Sequence, residues 1–137
     1  MAVKQAAVQE LQGRMADAGH GAIREGHGCV FGFVHPEGSR LTDLAERAGL
    51  TKQAVGEVVD DLVRLGYVVR APDPTDGRAK LVRLTEKGEE ALALGNRIFD
   101  DIERRWAQQL GEDRMAGLRE TLEELHVLLG EPMPAPV

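Results

Sequence analysis

The chain has 137 residues and a formal net charge of −6, with 42% hydrophobic and 29% charged residues, which is typical of one globular domain. No apolar run reaches the ~18 residues of a membrane span, and no apolar signal core follows Met1. A single cysteine, Cys29, excludes an internal disulfide. We therefore expect a soluble, cytoplasmic protein without a membrane partner.

The acidic residues are unevenly distributed along the chain. The segment from Arg40 to Arg83 holds eight basic and seven acidic residues, whereas the remainder holds nine basic and sixteen acidic ones. A net negative charge by itself argues against a nucleic-acid-binding protein. A small positive surface can still persist in the middle segment, and binding there would depend steeply on salt.

Two helices are predicted in the first quarter of the chain. Apolar residues recur every four positions from Val3 to Met15, which predicts an amphipathic helix over 2–18, ended by Gly19. A second helix is predicted over 22–34, where apolar residues again share one face.

The next two predicted helices are joined by a very short turn. Thr42 is the predicted N-cap of a helix that ends at Ala48, and Thr51 is the predicted N-cap of a helix over 52–65. A glycine follows each helix, as is typical of a left-handed C-cap. Two helices joined in this way predict a helix-turn-helix.

A β-hairpin is predicted directly after these helices. Tyr67–Arg70 and Lys80–Leu84 are rich in strand-forming residues, and the segment 71–79 between them consists of turn formers. A hairpin in this position is the wing of a winged helix. The predicted fold class is therefore mainly α with a small β-hairpin wing (α+β).

Further helices extend beyond the predicted winged helix. Thr85 is the predicted cap of a helix over 86–109, and after Gly111 a last helix carries apolar residues at alternating spacings of three and four. Burial of apolar surface contributes about 25 cal/mol per Å2. These faces therefore favour burial against a second copy related by a two-fold axis, with packing inside a monomer as the alternative.

The first turn of the second motif helix is the predicted base-reading element. Lys52 suits guanine or a phosphate, and Gln53 suits adenine. Gly56 permits close approach to the DNA backbone, and Thr51 precedes a helix N-terminus that favours a phosphate. Glu57 either accepts a hydrogen bond from a cytosine amine or is simply solvated.

Basic residues of the predicted wing form a second contact region. Arg78 follows Asp76 at the predicted tip, where it can enter the narrow minor groove. Asp76 either holds the Arg78 guanidinium or starts the turn. Including phosphate contacts from the strands and from just before the motif, the predicted DNA-binding residues are Ser39, Arg40, Thr51, Lys52, Gln53, Gly56, Arg70, Arg78 and Lys80.

Three stretches of the sequence resemble the MarR family of winged helix-turn-helix regulators. Residues 41–55 are similar to its helix-turn-helix and 62–70 to its helix exit and first wing strand. Residues 73–80, followed by 84–88, are similar to its wing signature. The resemblance implies a dimer that binds a pseudo-palindromic operator and usually acts as a repressor. It also implies that the dimer often releases DNA when a small phenolic or anionic effector binds. It also matches Arg78 to the family's wing arginine, although Gly77 stands where many members have a second arginine.

One MarR-like domain is therefore expected over 1–137. Within it, 36–88 is the expected DNA-binding lobe, 1–34 and 89–130 form the helical dimerisation region, and 131–137 is a loose, Pro-rich tail. The predicted function is sequence-specific binding of double-stranded DNA by a homodimeric, ligand-responsive repressor.

Residues that sense a signal are less clearly marked. His27 and Phe31 are the predicted wall of a ligand pocket, unless His27 is a satisfied core histidine. Cys29 raises the alternative of a redox-sensing regulator, but a small buried hydrophobic role is favoured. No metal site is expected, because His27 and Cys29 lie on different faces of the predicted helix.

Catalytic residues and cofactors are not expected either. The sequence has no nucleophile–base constellation, no glycine-rich phosphate loop and no His/Cys cluster, so it does not indicate an enzyme. The remaining alternative is a winged helix that binds protein and has lost DNA binding. The basic and amide side chains of Lys52, Gln53, Arg78 and Lys80 count against it.

Overall fold

The computed structural model describes residues 2–130, so the predicted loose tail over 131–137 lies outside the described residues. The elements in chain order are α1 (Ala2–Asp17), a 3-10 turn (Glu25–His27), α2 (Gly28–Phe31), α3 (Leu41–Ala48), α4 (Lys52–Leu65), β1 (Val68–Asp73), β2 (Asp76–Leu84), α5 (Glu86–Leu110) and α6 (Glu112–Leu128). The predicted fold class, mainly helical with a small β wing, is confirmed. Within this range, no helix combines the length and apolarity that crossing a membrane requires.

The prediction of one continuous helix over 22–34 is wrong. Only the four residues of α2 are α-helical, after a single 3-10 turn. Glycines at 26, 28 and 32 each lower helix propensity by about 1 kcal/mol relative to alanine. The backbone N–H of Arg24 donates instead to Nδ1 of His27 at 2.9 Å, which closes a tight local turn.

The helix-turn-helix is formed by α3 and α4. Gly49 and Gly66 end these helices with φ of 65° and 84°, the left-handed conformation that favours glycine. Thr51 caps α4 as predicted, because its hydroxyl oxygen accepts from the N–H of Ala54 at 3.1 Å. The predicted cap of α3 is wrong: that helix begins at Leu41, so Thr42 lies inside its first turn.

The hairpin is longer than the sequence predicts. β1 and β2 pair from Val68 opposite Leu84 to Asp73 opposite Asp76, so the turn consists of residues 74–75 and not of the nine residues 71–79. Turn-forming residues are tolerated here because β1 is an edge strand, where a proline costs no interior ladder bond. On the other side of β2, Ser39 exchanges backbone hydrogen bonds of 2.9 and 2.8 Å with Val82.

Asp73 ties the hairpin turn to α3. Its carboxylate accepts from the N–H and hydroxyl of Thr75 at 2.8 and 2.7 Å, and from the guanidinium of Arg40 at 2.8 and 3.0 Å. These bonds, led by those from Thr75, lower the pKa of Asp73 to about 2. The side chain is only 7% exposed, so the carboxylate is a structural anchor of the hairpin.

A single core joins the helix-turn-helix, the hairpin and the long helix. Its members are apolar side chains from every element except α6: Met15, Val30, Val34, Leu44, Ala45, Val55, Val59, Leu62, Tyr67, Val68, Val82, Ala91, Ile98 and Ile102. α1 packs along α5, and after the break at Gly111 α6 packs against the end of α5. The core therefore fixes which faces of α4 and of the hairpin remain exposed.

Replacing Gly88 by alanine should destabilise the protein sharply. A Cβ at this position would lie 2.1 Å from the backbone oxygen of Tyr67, so either the start of α5 or the chain at Tyr67 must move. We expect a loss of about 1–3 kcal/mol in the free energy of unfolding, measured by urea denaturation. The matched control is Gly95→Ala in the same helix, where the nearest atom is Leu11 Cδ1 at 3.9 Å. Gly95→Ala should leave the free energy of unfolding unchanged or increase it. Equal losses of stability in both variants would contradict the close approach of Gly88 to the backbone of Tyr67.

The Asp73 anchor should make stability depend on acid. Its folded pKa of about 2 lies below the ordinary value of 3.8, so its contribution is present above about pH 4 and is lost as the pH falls towards 2. Asp73→Asn lacks the charge at every pH. Urea denaturation between pH 6 and pH 2 should therefore show wild type more stable near pH 6 and the two proteins converging towards pH 2. If the difference in stability between wild type and Asp73→Asn stays constant from pH 6 to pH 2, the role of Asp73 as an anchor is contradicted.

Candidate nucleic-acid interface

The outer face of α4 is exposed because its inner face is buried. Val55, Val59 and Leu62 are fully buried, which turns Lys52 and Gln53 of the first turn towards solvent. Within residues 2–130, neither of these two side chains makes a hydrogen bond or ion pair. The first turn of α4 is therefore free to contact another molecule.

Three of the four basic side chains on the hairpin strands share one face, while Arg83, which pairs with Val69, lies on the other. Side chains alternate along a strand, and opposite residues point to the same side, so the pairing of Arg70 with Val82 places Arg70, Lys80 and Arg78 together. Arg70 contacts Asp60 of α4, with Nη2 and Oδ1 2.7 Å apart. This ion pair joins the base of the hairpin to the C-terminal half of α4.

Arg78 lies on β2 and not at the predicted hairpin tip. Asp76 starts the strand and accepts from the backbone N–H of Arg78 at 3.0 Å, while its second oxygen lies 3.9 Å from Arg40. Asp76 thus organises the turn and does not hold the Arg78 guanidinium. The Arg78 side chain is exposed, and within the described range it has no hydrogen-bond or ion-pair partner.

Other predicted contact residues are engaged within the fold. Arg40 is bound to Asp73, and Arg70 is bound to Asp60. Ser39 is only 4% exposed, and its hydroxyl accepts from the N–H of His35 at 2.9 Å. This burial contradicts the predicted phosphate contact of the Ser39 side chain.

Thr51 and Gly56 complete the predicted set. The hydroxyl of Thr51 is occupied in capping α4, although the residue is exposed. Gly56 is half-buried, and a Cβ there would meet only Leu41 Cδ2 at 3.7 Å. Gly56 therefore lies beside Leu41 at the start of α3, with room for a Cβ at ordinary van der Waals distance.

Two of the carboxylates on α4 are neutralised by partners in the fold. Asp60 pairs with Arg70, while Asp61 contacts both Arg64 and Nε2 of His27, the latter at 2.6 Å. The hydrogen bonds from His27 and then Arg64 lower the pKa of Asp61. Sequence reasoning missed these organising roles, because His27 lies 34 residues from Asp61. The nearest signal was the opposite charge of Asp60 and Arg70 on consecutive elements.

His27 is buried, and Phe31 is half-buried and packs against the core. Nδ1 of His27 accepts from Arg24 N–H, so Nε2 carries the proton that is donated to Asp61. Phe31 packs edge-on against the ring of Tyr67 at a centroid distance of 6.1 Å. These contacts fit the satisfied core histidine, and the ligand pocket at His27 and Phe31 stays a prediction.

Cys29 has the surroundings of a structural cysteine. Its thiol is half-buried and donates to the carbonyl of Gly26, with Sγ and O 3.3 Å apart. Burial raises the pKa of this thiol, which works against the thiolate that oxidation requires. Among residues 2–130, no group of three or more His, Cys, Asp or Glu side chains is arranged to hold a metal ion.

Known sequences are similar to the central part of this chain. The sequence profile of the MarR family matches residues 27–79. The chain is 27% identical over 100 residues to the HTH-type transcriptional regulator TcaR of Staphylococcus aureus, a match that covers 71% of this chain and 66% of that protein. The chain thus spans just under two thirds of the length of this relative.

Solved structures share the fold over most of the described chain. The MepR–DNA complex of Staphylococcus aureus matches with a TM-score of 0.71 and 21% identity, over 93% of each chain. CouR from Rhodococcus jostii bound to p-coumaroyl-CoA matches with a TM-score of 0.69 and 24% identity, over 90% of this chain and 86% of that chain. At these identities the solved structures show a shared fold, and the match of residues 27–79 to the family profile places the chain in the MarR family of winged helix-turn-helix proteins.

Proposed function

We propose that this chain is a sequence-specific, double-stranded-DNA-binding transcriptional regulator of the cytoplasm, with a regulatory and not a catalytic role. The observation that carries the proposal is the placement of Lys52, Gln53, Arg78 and Lys80. All four side chains are exposed, on the first turn of α4 and on β2, and within 2–130 none of the three cationic ones forms an ion pair. A family relative, TcaR, is named a transcriptional regulator, and MepR has been solved as a DNA complex.

The major groove accommodates the first turn of α4 in this proposal. Lys52 contacts guanine or a phosphate, and Gln53 forms a bidentate pair with adenine. Thr51 holds the helix N-terminus in the conformation that favours a phosphate, and Gly56 leaves room for the DNA backbone. On the hairpin, Arg78 reaches the minor groove, Lys80 contacts phosphate, and Arg70 and Arg40 support the hairpin through Asp60 and Asp73.

The exposed apolar face of α6 supports a homodimer. Within the described chain, α6 buries none of its residues. Leu118, Leu122, Leu125 and Leu129 are 46 to 65% exposed, at spacings of four, three and four. A contiguous apolar stripe of this kind favours a protein partner, and a second copy related by a two-fold axis satisfies it. Such a dimer would present two α4 helices about 34 Å apart to a pseudo-palindromic operator.

Release of DNA by a small effector is the proposed mode of control, with the regulator acting as a repressor. CouR, a structural neighbour, was solved with p-coumaroyl-CoA bound. The proposal extends small-molecule response to this chain, and it leaves the chemistry of the effector open.

Fluorescence-anisotropy titration of the promoter DNA beside the chain's own gene tests the function. Binding should be saturable, with two chains per site, tighter than to a scrambled duplex and steeply weaker with rising salt. Equal, weak binding to both duplexes would contradict autoregulation at that site. A second titration against tiled fragments of the neighbouring genes then separates a distant operator from a loss of DNA binding.

Arg78→Ala should weaken specific binding by about tenfold or more, because it removes a charge-assisted hydrogen bond from each chain. It should also reduce the salt slope by about 0.9 for each phosphate that is no longer neutralised. Arg97→Ala is the matched control, since Arg97 is an exposed arginine on α5, outside the lobe. Both variants are measured by anisotropy on the same operator. Equal effects of the two substitutions would favour a general charge effect or a protein-binding role.

Leu125→Glu should convert the dimer into monomers. It places a charge in the centre of the apolar stripe, where Leu125 is 49% exposed. Sedimentation velocity at micromolar concentration should give a monomer for this variant and a dimer for wild type. Leu50→Glu is the matched control, because Leu50 is 47% exposed but lies in the turn between α3 and α4. A dimer that survives Leu125→Glu would exclude this stripe as the interface.

A further inference from the structure

We propose that Glu57 is a specificity-determining residue that accepts a hydrogen bond from the exocyclic amine of a cytosine in the major groove. This inference rests on the proposed DNA-binding function, and it assigns a base preference to a side chain that is unfavourable for DNA in general.

Glu57 lies on the same outer stripe of α4 as Gln53. The two residues are four positions apart, so their side chains are neighbours along the helix. Both are exposed, and both lie opposite the buried side formed by Val55 and Val59. A molecule that contacts Gln53 from outside therefore also meets Glu57.

The carboxylate of Glu57 differs from the other carboxylates of α4. Asp60 is held by Arg70 at 2.7 Å, and Asp61 is held by His27 and Arg64. Glu57 has no hydrogen-bond or ion-pair partner within residues 2–130. Its acceptor oxygens are therefore available, while its two acidic neighbours serve the fold.

The chemistry of the major groove selects one base for such a group. An ionised carboxylate only accepts hydrogen bonds. Guanine and thymine offer acceptors at their exposed edges, and these repel a carboxylate. The major-groove edge of adenine carries an N6 donor beside an N7 acceptor. The amide of Gln53, which both donates and accepts, matches this combination. Cytosine presents its N4 amine with no acceptor on its own major-groove edge, so the Glu57 carboxylate favours cytosine.

The same charge weakens binding to every other sequence. A carboxylate brought between phosphate backbones is repelled unless a base donor compensates for its lost hydration. Glu57 therefore lowers affinity for unrelated DNA and increases the ratio between the operator and its competitors. A glutamate that is only solvated, away from the DNA, would change neither the base preference nor the non-specific affinity.

The test is selection of DNA sites from a randomised duplex library with the full chain, comparing wild type with Glu57→Gln. Glutamine is isosteric and has a similar helix propensity, so the helix should stay intact, which thermal unfolding verifies. Wild type should enrich a half-site with cytosine at one position that Glu57→Gln no longer selects. Four duplexes that differ only there should show roughly 5- to 150-fold discrimination by wild type, falling to within about twofold for the variant.

The scrambled duplex provides the second readout. Glu57→Gln should bind it more tightly than wild type. The matched control, Glu90→Gln, removes the same charge from an exposed position on α5 and should keep the cytosine preference. An enriched site whose base preferences are unchanged in Glu57→Gln would overturn the inference while leaving the proposed function standing. If wild type enriches no site at all, the proposed function fails and the inference fails with it.

Discussion

The rotation of α4 about its own axis is the constraint on which the rest of the structure depends. Three fully buried side chains, Val55, Val59 and Leu62, set that rotation, and burying each of them contributes about 1.5–3 kcal/mol. A turn of the helix by one residue would bring the carboxylate of either Asp60 or Asp61 into this apolar seam. The chemistry of the outer face is therefore decided by packing on the inner face, and the interface is as rigid as the core behind it.

Carboxylates provide most of the polar order around this helix. Asp60 connects α4 to the hairpin through Arg70, and Asp61 connects α4 to His27 in the segment after α1. Asp73 connects the hairpin to Arg40 at the start of α3. A chain with a net charge of −6 can in this way present a basic face. Four acidic residues of the lobe, Asp60, Asp61, Asp73 and Asp76, bind donors within the fold.

Local sequence signals predicted the parts of the fold that local physics determines. The caps at Thr51 and Thr85, and the left-handed glycines Gly49 and Gly66, follow from backbone hydrogen bonding within a few residues. The prediction of the hairpin length was wrong, because strand pairing between Asp73 and Asp76 overrides the turn preference of the residues beside them.

The polar organisation of the candidate site was beyond prediction from sequence for a related reason. Each organising carboxylate finds its partner on another element, up to 34 residues away. The burial of Ser39 likewise depends on its bridge to β2, which no spacing pattern encodes. What the sequence did indicate was the exposed first turn of α4, because the periodicity of buried valines fixes it.

The joint between the lobe and α5 has a mechanical consequence. At this joint Gly88 touches the backbone of Tyr67, Lys87 lies 4.4 Å from the centre of its ring, and Thr85 donates to Gly66. α5 has 25 residues, which at about 1.5 Å each make a rod roughly 37 Å long. Because these contacts hold the start of α5 to the lobe, we expect the lobe and α5 to move together as one rigid unit. A tilt of only about 5° at the far end of the rod would displace the lobe by roughly 3 Å, close to the spacing of one base-pair step.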